Sequence, residues 1–395
     1  MLSWLLCLTS LLFAAQQEST APERWPPRHD IPQETAAQTQ AQMGETWTTE
    51  KDWRERRTLI REHVRNITGL DRLPEPGPLS PVIHDRIDGQ GYSVESFFIE
   101  TFPGFFASGN LYRPLDREGP FPIVLCPHGH ARANATQPEG RFRAEYQRLC
   151  ATLARMGAIV LTWDMVGWGE QEQVTHRRPE STTLQTFNTM RMIDFAQSMQ
   201  DADPERIGIT GSSGGGTQTF LATMLDDRID VSIPVVMVST HFFGGCACES
   251  GLPIHQSAQH KTNNVEFAAC AAPRPTMLIS VGGDWTLNTP KVEFPYLQRV
   301  YSTLGAPESC ANVHLVDEEH DYGVNKRSPA YRFLGHHLGL DIASVTAPDG
   351  SIDETAVAIQ PRKDLRAFTD NHPRPEHALQ GDAAVDQAWQ SYLEQ

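Results

Sequence analysis

Between residues 121 and 316, short apolar runs rich in Val and Ile alternate with longer segments whose apolar residues have helical spacing. The runs are apolar throughout, which is typical of strands buried on both faces of a parallel sheet. Strands are predicted at 121–126, 158–164, 206–211, 231–238, 276–281 and 313–316, and helices at 141–156, 184–199, 217–225 and 292–304. The alternation predicts an α/β domain with a mostly parallel central sheet and helices on both faces.

Two further elements precede this alternation. Residues 91–112 predict two or three strands joined by a Pro-Gly turn, an N-terminal antiparallel meander. The stretch from Thr48 predicts a helix that Gly69 ends. Its apolar face is expected to comprise Trp53, Leu59, Ile60, Val64 and Ile67. We therefore predict one domain over residues 48–345 that begins with a helix.

The remaining segments are expected to lie outside that domain. Residues 1–15 are a short apolar run ending in small residues, which predicts a signal peptide and a secreted or periplasmic protein. No other segment is long and apolar enough to cross a bilayer, so we expect no integral membrane segment after signal removal. Residues 16–47, rich in Pro, Gln, Thr and Ala, predict a linker or disordered arm. Residues 346–395 predict a polar tail that packs on the surface.

Charge and cysteine spacing exclude several classes of function. The chain has 33 Lys and Arg against 49 Asp and Glu, a net charge of −16, which phosphate backbones repel. We therefore expect no nucleic-acid partner. The pair Cys246 and Cys248 lacks the spacing and the second pair of a typical zinc site, and the pair His128 and His130 has no third ligand nearby. We expect no metal site and no cofactor, and a disulfide among the cysteines after residue 15 is left open.

A nucleophile is predicted at Ser213, the centre of Gly211-Ser-Ser-Gly-Gly215. This Gly-x-Ser-x-Gly pattern directly follows a predicted strand and directly precedes a predicted helix. That context is the strained strand-to-helix turn that exposes a serine above a sheet. Ser212 is a weaker candidate, because no glycine stands two residues before it.

A serine hydroxyl needs an imidazole as base and a carboxylate to orient that imidazole. In this type of fold the chain order is serine, acid, histidine. His320 follows the last predicted strand and is the expected base. Asp284 follows the strand before it and is the expected acid, with Glu249 as the alternative acid one strand earlier.

Two backbone N–H groups should face the developing oxyanion. The first is expected from Gly214, the residue after the nucleophile. The second is expected from the turn after the first central strand, at Gly129 or His130. Trp168 lies after the next strand and is a candidate substrate contact. The polar segment 171–183, which carries His176 and Arg177, is expected to form a rim or lid.

In this order the motifs resemble those of secreted bacterial α/β-hydrolases, namely the acetyl xylan esterases and related dienelactone-hydrolase-like or prolyl-oligopeptidase-like esterases. The resemblance covers about residues 48–340. It rests on the helix after Thr48 and on GNLYRP, CPHGH, WDMVGWGE, GSSGGG, NNVEFAACAAPRP, GGDWT and HDYG. It implies an α/β-hydrolase fold and a triad of Ser213, Asp284 and His320.

The resemblance implies a serine carboxylester hydrolase that acts on short acyl esters, such as acetyl esters, of a small molecule or a polysaccharide. A serine peptidase of the prolyl-oligopeptidase type and a glucuronoyl-type esterase are the alternatives. Dienelactone hydrolase itself has cysteine where this chain has Ser213. Glucuronoyl esterases have arginine directly after the serine, where this chain has Gly214, so a uronate substrate is less expected. No oligomeric state is predicted.

Overall fold

The computed structural model describes residues 31–131, 139–257 and 260–395. The predicted signal peptide at 1–15 lies outside the described residues, as does the first part of the predicted linker. The strands are β1 (Val82–Asp88), β2 (Tyr92–Phe102), β3 (Phe105–Pro114), β4 (Phe121–Leu125), β5 (Ile159–Trp163), β6 (Ala202–Ser212), β7 (Val231–Val235), β8 (Thr276–Val281) and β9 (Cys310–Leu315).

The α-helices follow the strands in the alternation that the sequence predicts. They are α1 (Gln33–Glu45), α2 (Glu50–Thr68), α3 (Ala144–Arg155), α4 (Ser181–Gln197), α5 (Gly214–Leu225), α6 (Ala247–Ser250), α7 (Asn264–Ala269), α8 (Glu293–Thr303), α9 (Val324–Leu338) and α10 (Asp382–Leu393). Short 3₁₀ helices lie at Leu70–Arg72, Gly140–Phe142, Pro307–Ser309, Ile342–Val345 and Arg362–Asp364.

All nine strands form one sheet in the order β1-β2-β3-β5-β4-β6-β7-β8-β9. Strands β1, β2 and β3 pair antiparallel, and β3 joins β5 antiparallel. The pairs from β5 to β9 are parallel. The predicted fold class, a mostly parallel sheet with an N-terminal antiparallel meander, is confirmed. The prediction missed β1, an edge strand whose charged and largely exposed residues give no apolar alternation.

Alternate side chains of the central strands enter two separate cores, because successive residues of a strand point to opposite faces. Val124 of β4 packs in a core that also contains side chains of α3 and α9. Its neighbours Ile123 and Leu125 pack in a core with side chains of α4. Helices α2, α5 and α8 share a further core on the α4 side of the sheet. The carboxyl ends of the parallel strands therefore meet at one edge, where chemistry is expected in such sheets.

The predicted helix after Thr48 is α2, and it begins and ends where the sequence signals place it. Thr49 and Asp52 form a capping box, and Gly69 ends the helix with φ of 72°. Trp53 and Val64 are buried as predicted, but Leu59 is 57% exposed.

The prediction that residues 16–47 form a linker is wrong for residues 33–45, which form α1. The sequence did not reveal this helix because, apart from Met43, its buried residues are small or polar and give almost no apolar period. Gln40 is buried and accepts a hydrogen bond from Asn263 Nδ2 at 2.6 Å. Beyond the helix, Trp47 Nε1 donates to the hydroxyl of Tyr296 at 2.9 Å. The segment is thus packed against the domain.

The chain after residue 345 also contributes to the cores. Leu365 is buried in the core that contains α3 and α9. Trp389 and Tyr392 of α10 pack against Phe102 and Phe187 at ring-centroid distances of 5.0–5.8 Å. Residues 346–395 are therefore an integral layer of the fold. In the part of the chain that the structure describes, no helix combines the length and apolarity needed to traverse a bilayer.

Candidate active site

Ser213 lies at the turn between β6 and α5, with φ of 57° and ψ of −123°. A positive φ is strained for a residue with a side chain, and here it lifts the serine off the end of the strand. The Ser213 N–H donates to the carbonyl of Val235 on the neighbouring strand β7 at 3.1 Å. This hydrogen bond therefore anchors the turn to the sheet, at the edge where the parallel strands have their carboxyl ends.

The flanking glycines are required by close backbone contacts. A Cβ on Gly211 would lie 2.4 Å from the carbonyl oxygen of Pro127, and one on Gly215 would lie 2.1 Å from the same atom. Real Cβ atoms do not approach a carbonyl so closely. The Gly-x-Ser-x-Gly pattern thus lets the nucleophile turn pack directly on the loop after β4.

Asp284 and His320 are paired, as the sequence predicts. The His320 Nδ1 lies 2.7 Å from Asp284 Oδ2, and the Asp284 side chain is only 3% exposed. The other carboxylate oxygen, Oδ1, accepts from the backbone N–H and the hydroxyl of Thr286, both at 2.6 Å. These bonds hold the carboxylate so that it fixes the orientation and tautomer of the imidazole.

Ser213 lies at a small pocket of about 240 Å³. The pocket is lined by His130, His176, Arg177, Ser213, Phe242, Gly245, Cys246, Glu249 and Trp285. Trp285 packs against the His320 ring at a centroid distance of 4.5 Å, so the Asp284–His320 pair lies next to a residue of the pocket wall. No hydrogen bond joins Ser213 to His320, both of which are described residues. Such contacts are often long before substrate binds.

Glu249, the alternative acid, faces a different histidine. Its Oε2 accepts from the N–H groups of Gly245 and Cys246 at 2.7 and 3.1 Å. Its Oε1 lies 3.6 Å from His130 Nδ1. The carboxylate therefore caps the short helix α6 and faces His130, while Asp284 holds His320.

The structure separates the two candidates for the second oxyanion donor. The Gly129 N–H donates to the hydroxyl of Tyr146 at 2.8 Å, so this N–H already has a hydrogen-bond partner within the protein. The His130 imidazole lies over Gly214, because a Cβ on Gly214 would be 2.9 Å from its Cε1 atom. The Gly129 N–H is therefore engaged elsewhere, and the role of the Gly214 and His130 N–H groups at an oxyanion stays a prediction.

His128, on the same turn, has a structural role. Its Nδ1 lies 2.8 Å from the carbonyl of Gly129, and its Nε2 accepts from the Met165 N–H at 3.1 Å. Complete burial lowers the pKa of His128 to about 3, so the ring is neutral. A neutral ring that donates at Nδ1 and accepts at Nε2 satisfies both neighbours and holds the turn.

The predicted rim, residues 171–183, is fastened to the rest of the molecule. Gln173 accepts from Phe106 N and donates to the carbonyls of Gly104 and Leu379, all within 2.8 Å. Thr175 donates to Asp382 of α10. The C-terminal helix therefore holds the rim in place beside the pocket.

Trp168 lies at this rim, within 5.8 Å of the His130 ring and 5.5 Å of the His176 ring. It lines an adjoining depression with His176 and Arg177. Its role as a substrate contact stays a prediction.

Sequence reasoning missed two parts of the site. The first is the aromatic wall, in which Phe242 stacks on Trp285 at 4.0 Å beside His320. The tryptophan directly after Asp284 was the available signal. The second is a cluster of His130, His176, Cys246 and Cys248 at the other side of the pocket. Its members come from three separate loops, so no local spacing reveals it.

The parallel sheet with its antiparallel edge and the strained strand-to-helix turn define an α/β-hydrolase. Comparison with known proteins narrows the class. The chain is 35% identical to methylesterase BT1017, whose structure matches with a TM-score of 0.83 over 93% of this chain and 82% of that one. The chain therefore belongs to the α/β-hydrolase esterase family of methylesterase BT1017, and the predicted class, carboxylic ester hydrolases, is confirmed.

More distant relatives share parts of the chain. YtaP of Bacillus subtilis (strain 168), which is named as a hydrolase, is 26% identical over 185 residues, 44% of this chain and 62% of its own. A 4-O-methyl-glucuronoyl methylesterase of Neurospora crassa is 26% identical over 185 residues, 41% of each chain. The match thus spans less than two thirds of either curated relative. The chain matches no established sequence-family profile.

Proposed function

We propose that Ser213 of this protein attacks the carbonyl of a small ester, in the manner of a serine esterase. The observation that carries the proposal is the strained Ser213 turn at a pocket whose wall includes Trp285, the residue that packs against the Asp284-bound His320. His320 takes the serine proton, and Asp284 stabilises the resulting imidazolium. The backbone N–H groups of Gly214 and His130 receive the negative charge on the carbonyl oxygen.

The reaction then proceeds through an acyl-enzyme. The protonated His320 gives its proton to the departing alcohol, and the serine keeps the acyl group. Water, deprotonated by His320, attacks the acyl-enzyme and releases the carboxylic acid. The net reaction consumes one water for each ester bond.

For the substrate we propose methyl esters of acidic sugars in a polysaccharide. Two relatives support this choice by name, methylesterase BT1017 and the glucuronoyl methylesterase of Neurospora crassa. The volume of about 240 Å³ suits a small ester group at the catalytic centre. The exposed Arg177 lines both this pocket and the depression beside it.

Arg177 offers a guanidinium to a carboxylate on a neighbouring sugar. In this proposal the arginine that binds the sugar carboxylate lies on the rim. The position directly after the nucleophile, Gly214, has no side chain that could bind it. Acetyl esters of polysaccharides remain the second candidate, since an acetyl group also fits a pocket of this size.

A substrate panel tests the proposal. Purified protein and its Ser213→Ala variant are assayed on methyl-esterified polygalacturonate, acetylated xylan and p-nitrophenyl acetate. Methanol release by the native protein alone supports the proposal. Equal rates for the two proteins on all three substrates would overturn the catalytic role of Ser213, and acetate release without methanol release would overturn the methyl-ester substrate.

Arg177→Ala tests the rim contact. We expect a rise in KM of about tenfold on the methyl-esterified polyuronate, since a charged hydrogen bond is lost, and little change on p-nitrophenyl acetate. Arg332→Ala, an exposed arginine on α9, is the matched control. Unchanged KM in the Arg177 variant would remove this contact from the proposal.

The predicted signal peptide at residues 1–15 suits this substrate class, because polysaccharides lie outside the cell. We therefore propose export to the periplasm or the medium. Fractionation of cells that produce the full chain, followed by N-terminal sequencing of the mature protein, tests this.

A further inference from the structure

Two histidines and two cysteines converge at the pocket of Ser213, and three of them line it. The Nε2 atoms of His130 and His176 lie 3.0 Å apart, and His130 Nε2 lies 3.1 Å from Cys248 Sγ. With Cys246 Sγ, the four ligand atoms all lie within 4.8 Å of one another. Cys248 is buried, and the other three are partly buried. The catalytic mechanism proposed above uses none of these four side chains.

The far sides of the two imidazoles show how their protons are placed. His176 Nδ1 lies 2.6 Å from the backbone carbonyl of Val166, an acceptor, so the Nδ1 of His176 carries the proton. His130 Nδ1 lies 3.6 Å from the carboxylate of Glu249. Metal-binding histidines characteristically direct their second nitrogen to a carbonyl or a carboxylate in this way. Both Nε2 lone pairs then point into the cluster.

We propose that His130, His176, Cys246 and Cys248 bind one zinc ion in a tetrahedral site. Two imidazole nitrogens and two thiolates are a donor set that Zn²⁺ prefers, with bonds of about 2.0–2.1 Å to nitrogen and 2.3 Å to sulfur. Such bonds imply ligand separations of roughly 3.3–3.8 Å, close to the separations in the cluster.

The site is a clamp, because four protein ligands leave no open position for substrate or water. His130 belongs to the oxyanion turn, His176 to the rim, and the two cysteines to the segment around α6. The ion therefore ties together three loops that surround Ser213. The side chain of His130 binds the ion. Its backbone N–H is a separate group whose direction is set by the turn, so the two roles proposed for His130 are compatible.

Metal content tests the site directly. Full-length protein is produced without a polyhistidine tag, dialysed against metal-free buffer and analysed by inductively coupled plasma mass spectrometry. We expect about one zinc per chain. A content near zero, in protein that also fails to take up added Zn²⁺, would overturn the proposal.

Cobalt substitution tests the geometry without any mutation. Co²⁺ added to chelator-treated protein should give the intense visible bands of a tetrahedral ion and a thiolate charge-transfer band. A weak spectrum of octahedral Co²⁺, or none, would contradict an N₂S₂ site. Chelation should also lower Tm by about 3 °C or more, and added Zn²⁺ should restore it.

Variants assign the ligands. Cys248→Ser and His176→Ala should each lose most of the bound zinc, whereas Cys310→Ser and His336→Ala, outside the cluster, should retain it. Retention by all four variants would overturn the assignment. A disulfide between Cys246 and Cys248 is the competing state, and a mass two units lower under denaturing, non-reducing conditions would overturn the metal site.

This inference is independent of the proposed function. The Ser213→Ala variant should be inactive and still hold one zinc. Conversely, an active enzyme without zinc would refute the clamp and leave the catalytic proposal intact.

Discussion

Two histidines lie near Ser213, His130 in the wall of its pocket and His320 behind Trp285 of that wall, and their surroundings differ in kind. His320 has one strong partner, Asp284, at 2.7 Å, and an aromatic neighbour in Trp285. His130 lies among His176, Cys248 and Glu249, which come from two other loops. The first arrangement orients one imidazole through a single carboxylate. The second surrounds its imidazole with ligand atoms.

The two arrangements differ in whether the sequence predicts them. The Asp284–His320 pair follows from chain order, because both residues lie after consecutive parallel strands and the ends of such strands meet. No rule of chain order predicts the cluster around His130, because its members come from three separate loops. Each side also has its own buried acid, Asp284 on one and Glu249 on the other, so mutations can separate the two roles.

The largest effect is expected at Ser213, which lies between the two sides. Ser213→Ala should lower kcat by about 10⁴–10⁶-fold, since the nucleophile is lost while the fold is kept. Initial-rate measurements on a methyl-ester substrate check the loss of kcat, and thermal denaturation checks that the fold is kept. A residual activity above a tenth of the native rate would show that another group attacks the ester.

Replacing each of the two acids with its amide tests whether they have different roles. Asp284→Asn should lower kcat by about 10³–10⁴-fold, because the amide no longer stabilises the imidazolium or fixes its tautomer. Glu249→Gln is the matched control and should lower kcat by less than about tenfold, since the amide oxygen still accepts from Gly245 and Cys246. If the larger loss occurred at Glu249, the roles assigned to the two sides would be reversed.

His128 extends the comparison to stability, because it shares a turn with His130 but is completely buried. Its folded pKa of about 3 lies below the ordinary value of 6.5, so the unfolded chain binds the additional proton between these values. Stability from this group is complete above pH 6.5 and falls as the pH drops toward 3, by about 1.4 kcal/mol per unit. Urea denaturation between pH 7 and pH 4 measures the slope.

In His128→Gln this contribution to the slope should vanish, although the variant is less stable at pH 7. His336→Ala, at an exposed position, should keep the native slope. An unchanged slope in the His128 variant would mean that other groups cause the acid sensitivity.

The smallest effect is expected at Tyr146, which supports the turn from below. Tyr146→Phe leaves the buried N–H of Gly129 and the hydroxyl of Ser212 without this partner. The free energy of unfolding should fall by about 1–3 kcal/mol, with a smaller effect on activity than on stability. Chemical denaturation measures the first and kcat the second. A stability equal to that of the native protein would mean that water replaces the hydroxyl.

The parallel sheet and the pairing of Asp284 with His320 were predictable, because their signals are short sequence patterns and the order of residues along the chain. Apolar runs mark buried strands, and Gly211, Ser213 and Gly215 mark the nucleophile turn within five residues. The helix at residues 33–45 was not predictable, because its packing uses Ala and Gln side chains that give no apolar stripe. The choice between Gly129 and His130 also required the structure, since it depends on the hydroxyl of Tyr146, 17 residues away.

From the chain alone, the α/β class, the strand-to-helix turn at Ser213, and the order of Asp284 and His320 after it could be predicted. The packing of the folded chain was needed to show that Asp284 pairs with His320, that Glu249 faces His130, and that His130, His176 and the two cysteines converge. Patterns along a chain report burial and backbone conformation, whereas contacts between loops depend on how distant segments pack.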